Sequence, residues 1–363
     1  MRSISLARVN GLLLLALLAL ALLYYGRLFL IPVAFSIVLA MLLSPVSRRL
    51  ESWGLGRGLA SFLCLMLLLL VLAAMGWAIG EQAANISEQL PQIQAKLQQL
   101  LNQGQQLIQR EFGVTPKVQI QFVQEQISKI AQSANQYLTT SLKGIFGLLG
   151  GFVLVLLYLF FLLWQRGKFR EFLLRLAPAE NRSEYARMLH QIRQVSGQYL
   201  AGRLISTVFL AVFYAIGFAI IGLQNAVLLG LIAAFPTIIP YVGAFVGGLF
   251  PVVMALIGGS SGQVVPTVGI LVAAQVIDNN IIEPLVMGAN LNLSPIFTIV
   301  ALVLGELIWG VPGMILFEPL FAIIRIICSH VPALHPYAFL LEDEVKEPQW
   351  LQKVKHVFSR SKA

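Results

Sequence analysis

Eight apolar runs organise this sequence, at roughly 11–25, 28–46, 58–80, 144–164, 204–223, 226–257, 264–283 and 295–328. About 20 such residues are enough to cross a bilayer as a helix. Inside lipid, every backbone polar group must be satisfied within the protein, which favours helices over open sheet. The expected fold class is therefore all-α: a polytopic integral membrane protein of about eight membrane segments. Only 11% of the 363 residues are charged, against about 25% in soluble domains. A soluble enzyme or scaffold is excluded on that ground.

Two runs are too long for one straight span. The stretch 226–257 contains Pro236, Pro240, Gly243, Gly247 and Pro251, and the stretch 295–328 starts at Pro295 and contains Gly310, Pro312 and Gly313. Proline removes a backbone donor and clashes with the preceding turn. Each stretch is expected to be a hairpin or a broken helix, and these residues, with Pro284, are the candidate hinges of a gate. Arg2 and Arg8 before the Leu-rich start mimic a signal peptide. The run continues apolar past Ala19–Ala21, so an uncleaved first helix is expected.

The positive charges give an orientation. Eight basic residues against three acidic ones fill 165–203, and more follow Pro336. Placing these loops and both termini in the cytoplasm obeys the positive-inside rule and leaves the nearly neutral segment 81–143 outside. The net charge of +9 is read as this cytoplasmic and lipid-facing bias, not as nucleic-acid binding. Within 81–143, Ile86, Leu90, Ile93 and Leu97 recur at helical steps, as do Ile120, Val123, Ile127 and Ile130. The segment reads as an amphipathic helical hairpin, packing on itself or on another copy in a homo-oligomer. The domain plan is 1–80 N-terminal spans, 81–143 external hairpin, 144–203 a span with basic interfacial helices, 204–335 core, and 336–363 basic tail. Phe169, Phe172, Leu173 and Leu176 oppose Lys168, Arg170 and Arg175, the pattern of a helix lying on anionic lipid.

From Leu204 to Leu341 the only charged residues are Asp278, Glu283, Glu306, Glu318 and Arg325. An ionisable group at the centre of a span costs about 2.5–3.5 kcal/mol on insertion scales unless it faces a cavity or a partner. Gln275, Asn279 and Glu283, at steps of four, share one helix side, with Asp278 adjoining. Pro284 follows, so Glu283 is expected at a helix end among free carbonyls. Hard oxygen ligands of this kind suit a proton, a small cation such as Na⁺, or a small polar solute; merely solvated carboxylates at the cytoplasmic mouth are the bland alternative. Glu306 and Glu318 flank the Gly310–Gly313 break. Arg325 lies about 10 Å along the axis from Glu318, so it meets a carboxylate on another element or snorkels to the surface.

Other chemistry finds no support. Cys64 and Cys328, both in apolar runs, read as packing residues, because two lone thiols make no framework. Gly258–Gly262 matches a G-x-S-x-G string without the strand–turn–helix context that chemistry needs. No cofactor, metal site or catalytic set is expected.

Ile239-Pro240-Tyr241-Val242-Gly243, continuing to Gly247 and Pro251, resembles a signature of the AI-2E family of transporters. Asp278-Asn279-Asn280 with Glu283-Pro284, Gln198–Gly202, and Gly310–Gly313 with Pro319 are similar to further blocks of that family. The resemblance covers nearly the whole chain and implies a homo-oligomer that exports autoinducer-2 or exchanges Na⁺ or Li⁺ for H⁺. Glu306 and Glu318 depart from the family pattern and lean towards a cation-coupled role. The expected function is a secondary transporter of the bacterial inner membrane. A passive oligomeric channel and a non-transporting membrane scaffold are the alternatives.

Overall fold

The structure is a computed structural model that describes residues 6–74, 76–77, 150–258, 262–287 and 291–343. The amphipathic segment 81–143 and most of the basic tail lie outside the described residues. Those described are almost entirely helical, with one isolated antiparallel bridge, Leu293 to Glu342.

In chain order the helices are α1 Leu6–Tyr25, α2 Arg27–Ser52, α3 Arg57–Ala74, α4 Gly150–Trp164, α5 Arg166–Arg175, α6 Arg182–Ile220 and α7 Ala226–Ala234. They continue as α8 Val242–Gly258, α9 Val264–Ile277, α10 Glu283–Met287, α11 Pro295–Trp309, α12 Val311–His330 and α13 His335–Leu341. Among the described residues five helical stretches are long and apolar enough to cross a membrane, or six if the bent pair α4–α5 forms one span. Shorter apolar helices include α7 with its 3₁₀ extension, α8 and α11. The chain is thus an all-α, multi-pass membrane protein.

Helix α6 runs 39 residues without a break, about 58 Å at 1.5 Å per residue. That exceeds any bilayer, and its first turns are the basic part of the segment 165–203, which runs on into the apolar span. Pro178 stands just before this long helix. Helices α4 and α5 meet at 72°, and α5 buries none of its residues.

The chain divides into two compact units: Met1–Leu69, Val153–Thr207 and Ile277–Ala363 form the first, and Leu70–Phe152 with Val208–Val276 the second. In the second, Leu210, Tyr214 and Phe218 of α6 pack with Leu229, Ala255 and Ala274. The stretch 226–257 is a hairpin. Helix α7 ends in a 3₁₀ turn, Phe235–Ile238, and α8 returns beside it. The glycines explain how close the return is. A Cβ on Gly243 would strike the backbone of Pro236, and one on Gly247 the backbone of Ala233. Helices in lipid gain no hydrophobic drive from one another, so close backbone approach over small residues is what holds such pairs. Pro251 is accommodated inside α8.

In the first unit α11 and α12 form the other hairpin. Gly310 turns the chain with φ 64° and ψ −144°, a conformation open to glycine and hostile to side chains. Pro295 and Pro312 occupy first-turn positions of α11 and α12, where a missing N–H costs nothing. Gly305 and Gly313 face each other so closely that a Cβ on either would meet the other's carbonyl. Trp309 Nε1 donates to Leu23 O over 2.9 Å, fixing the hairpin tip to α1. Cys64 packs with Leu43, Leu65 and Leu159, while Cys328 is buried on α12, so both are packing residues.

Candidate functional site: a buried acid cluster around one arginine

Within the first unit, three side chains from the polar-to-apolar transition of α6 meet those of three later segments. Gly202 provides the opening, since any Cβ there would collide with the Met287 side chain of α10. On either side of it, Tyr199, Arg203 and Ser206 lie at steps of four and three, along one helix face. All three are buried, Arg203 at 9% exposure.

Each takes a different carboxylate. Tyr199 Oη donates to Glu318 Oε2 of α12 over 2.8 Å. Ser206 Oγ lies 2.7 Å and 2.6 Å from the two Asp278 oxygens. Arg203 Nη1 stands 3.6 Å from Glu283 Oε1, and its guanidinium lies 5.9 Å from the Tyr199 ring centre. Asp278 is 3% exposed and Glu318 6%, whereas the Glu283 side chain keeps 34% exposure. Glu283 is the outward edge of the cluster. Arg203 Nε has no hydrogen-bond partner although it is buried. A buried charge of this kind is costly unless paired and hydrogen-bonded, so the guanidinium is held, but not saturated.

A π turn over Asp278–Ile282 sets the geometry of the acids. Glu283 N–H bonds back five residues to Asp278 O, and Glu283 itself has helical torsions, φ −57° and ψ −48°. The expectation that Glu283 ends a helix ahead of Pro284 is corrected here: the wider turn carries the helix through the proline. It also breaks the step-of-four register. Asp278 turns inward, while Asn279 is exposed, so Gln275, Asn279 and Glu283 do not line one side. π turns of this kind recur at functional sites.

The remaining sequence candidates lie elsewhere. Gln275 belongs to the second unit, where its amide donates to Tyr214 Oη over 2.9 Å. Glu306 is exposed on α11. Arg325 is buried and pairs at 2.9 Å with Glu342, just past α13, so it neither snorkels nor joins the cluster. The site therefore gathers Asp278, Glu283 and Glu318 from the sequence candidates and adds Tyr199, Arg203 and Ser206.

A family model described as "AI-2E family transporter" matches residues 12–333, the greater part of the sequence. The chain belongs to the AI-2E transporter family. Among curated proteins it is similar to YueF of Bacillus subtilis (strain 168), 27% identical over 308 residues, covering 81% of this chain and 82% of YueF. It is also similar to the AI-2 transport protein TqsA of Escherichia coli (strain K12), 25% identical over 323 residues, covering 87% of this chain and 90% of TqsA. YrrI of Bacillus subtilis is 24% identical over 310 residues, 83% and 86% of the two chains. These relatives are named as transport proteins, in keeping with the family description.

In the sequence Arg203 closes the basic segment 165–203 and so reads as one more cytoplasmic basic residue. Its signal was available: it stands one turn beyond Tyr199 and one turn before Ser206, flush with the start of an uninterrupted apolar run.

Proposed function

We propose that this AI-2E protein is a secondary transporter of the bacterial inner membrane, both termini cytoplasmic, working as a homo-oligomer and coupled to a cation gradient. The observation that carries the reading is the charge balance of the buried cluster. One guanidinium stands among three carboxylates and pairs with Glu283 at 3.6 Å, a longer contact than the hydroxyl contacts of Asp278 and Glu318. Arg203 offsets one negative charge, and a proton or Na⁺ is the natural counter-charge for the rest. A cation arriving by way of the exposed Glu283 would compete with Arg203 for that carboxylate. Release of the arginine would be the event that registers occupancy. The cargo is Na⁺ or Li⁺ exchanged for H⁺, or a small polar solute exported with the cation. The name of TqsA favours AI-2 as the solute to test first.

The test is flux in vesicles reconstituted with the full chain, under imposed pH and Na⁺ gradients, using AI-2 and ²²Na⁺ as cargo. Gradient-dependent flux that disappears in Asp278→Asn and Glu283→Gln supports the proposal. Flux at wild-type rate in both variants removes the coupling role. Flux indifferent to either gradient, with single-channel currents in planar bilayers, would assign the passive-pore reading instead.

A further inference from the structure

The first unit carries a second charged assembly, of opposite sign, that the transport reading does not use. Arg193, on the basic half of α6, lies within electrostatic reach of Arg48 on α2, Arg166 and Arg170. Arg57, at the start of α3, brings Nη1 to 3.7 Å from the position a Cβ on Gly167 would take. Four separate helices, α2, α3, α5 and α6, thus bring arginines to one region. Among the described ion pairs Arg166 is the member with an acid, Glu51 of α2, and it also donates to Ser47 Oγ over 3.1 Å. Like charges gathered in one place raise the local positive potential and attract an anion.

The surroundings say which kind. Trp164 is exposed and lies against Gly58, next to Arg57, and Trp53 is exposed at the end of α2. Exposed tryptophan on membrane helices marks headgroup level. Helix α5 turns away from α4 by 72° at that point and exposes Phe169, Phe172 and Leu173. An anion bound here would therefore have phosphate beside guanidinium groups and acyl chains beside an apolar helix face. Guanidinium groups suit phosphate oxygens by geometry as well as charge.

We propose that Arg48, Arg57, Arg166, Arg170 and Arg193 form a binding site for the phosphate of one anionic phospholipid, whose acyl chains lie along α5. The lipid bridges α2, α3, α5 and α6 as a structural component of the first unit. The site is separate from the acid cluster, so it stands or falls independently of the transport proposal.

The experiment is native mass spectrometry of the full-length protein in detergent, titrated with dioleoyl phosphatidylglycerol and, in parallel, dioleoyl phosphatidylcholine. The expected result is preferential retention of phosphatidylglycerol, with affinity about thirtyfold lower in the Arg48→Gln/Arg193→Gln double variant. Arg187→Gln, an exposed change on the same helix, is expected to bind as wild type. A wild-type melting temperature that rises with phosphatidylglycerol but not with phosphatidylcholine is a readout that needs no variant. Equal retention of the two lipids, equal binding by the double variant, or full displacement by millimolar inorganic phosphate would each overturn the site.

Discussion

Tyr199 and Glu318 stand 119 residues apart in the sequence and meet in a buried hydrogen bond of 2.8 Å, the phenol donating to the carboxylate. That contact ties the long helix α6 to α12 at the level where α6 changes from basic to apolar. A hydroxyl and a carboxylate taken out of water keep most of their hydrogen-bonding energy only while they have each other.

Removing the donor tests this directly. Tyr199→Phe leaves Glu318 buried without its phenol, and the desolvation cost predicts a loss of about 1–3 kcal/mol. The expected readout is a lower melting temperature in detergent, measured by intrinsic fluorescence, with normal insertion into the membrane.

Arg203 is the only cation found in the cluster among the described residues, so its removal should cost more. Arg203→Gln is expected to destabilise by about 3–5 kcal/mol, the range for breaking a buried ion pair from one side. Adding Glu283→Gln should recover part of that loss, since the pair is then removed together. A double-mutant cycle of thermal melts measures the coupling; strict additivity would deny that the two charges interact.

Glu306 and Glu318 looked alike from the sequence and should behave differently. Glu306→Gln changes an exposed group and is expected to shift stability by no more than about 0.5 kcal/mol. Glu318→Ala leaves the buried Tyr199 hydroxyl without its carboxylate partner and should cost several times as much. Parallel melting curves of the two variants make the comparison.

Glycine substitutions separate close packing from helix propensity. Gly313→Ala puts a methyl group into the Gly305 carbonyl, an overpacking expected to cost about 1–3 kcal/mol. Gly269, on α9, has nothing within 4 Å of where a Cβ would sit. Gly269→Ala should therefore stabilise by up to about 1 kcal/mol through helix propensity. Expression level and melting temperature report both.

The membrane class, the two hairpins and three of the six cluster residues are legible in the sequence. Glycine and proline at 236–251 and 310–313 announce breaks because their backbone chemistry is local, and a carboxylate in an apolar run is conspicuous whatever it touches. Tyr199 and Ser206 were not conspicuous. A tyrosine or serine in a helix is ordinary until a partner 119 or 72 residues away gives it a role. Arg203 was masked by its basic neighbours. The π turn escaped for a different reason: the register of Gln275, Asn279 and Glu283 assumed 3.6 residues per turn, and one wider turn at Asp278–Ile282 rotates everything after it.

The back-to-back seating of Gly305 and Gly313 has a mechanical consequence. At that level carbonyls fill the space where side chains would sit, so α11 and α12 have no side-chain layer there along which to slide. Any displacement that draws Glu318 away from Tyr199 must carry the whole hairpin, including the Trp309 tip latched to Leu23. Strain at the acid group is then felt at the first helix of the chain, along a lever that glycine has made stiff.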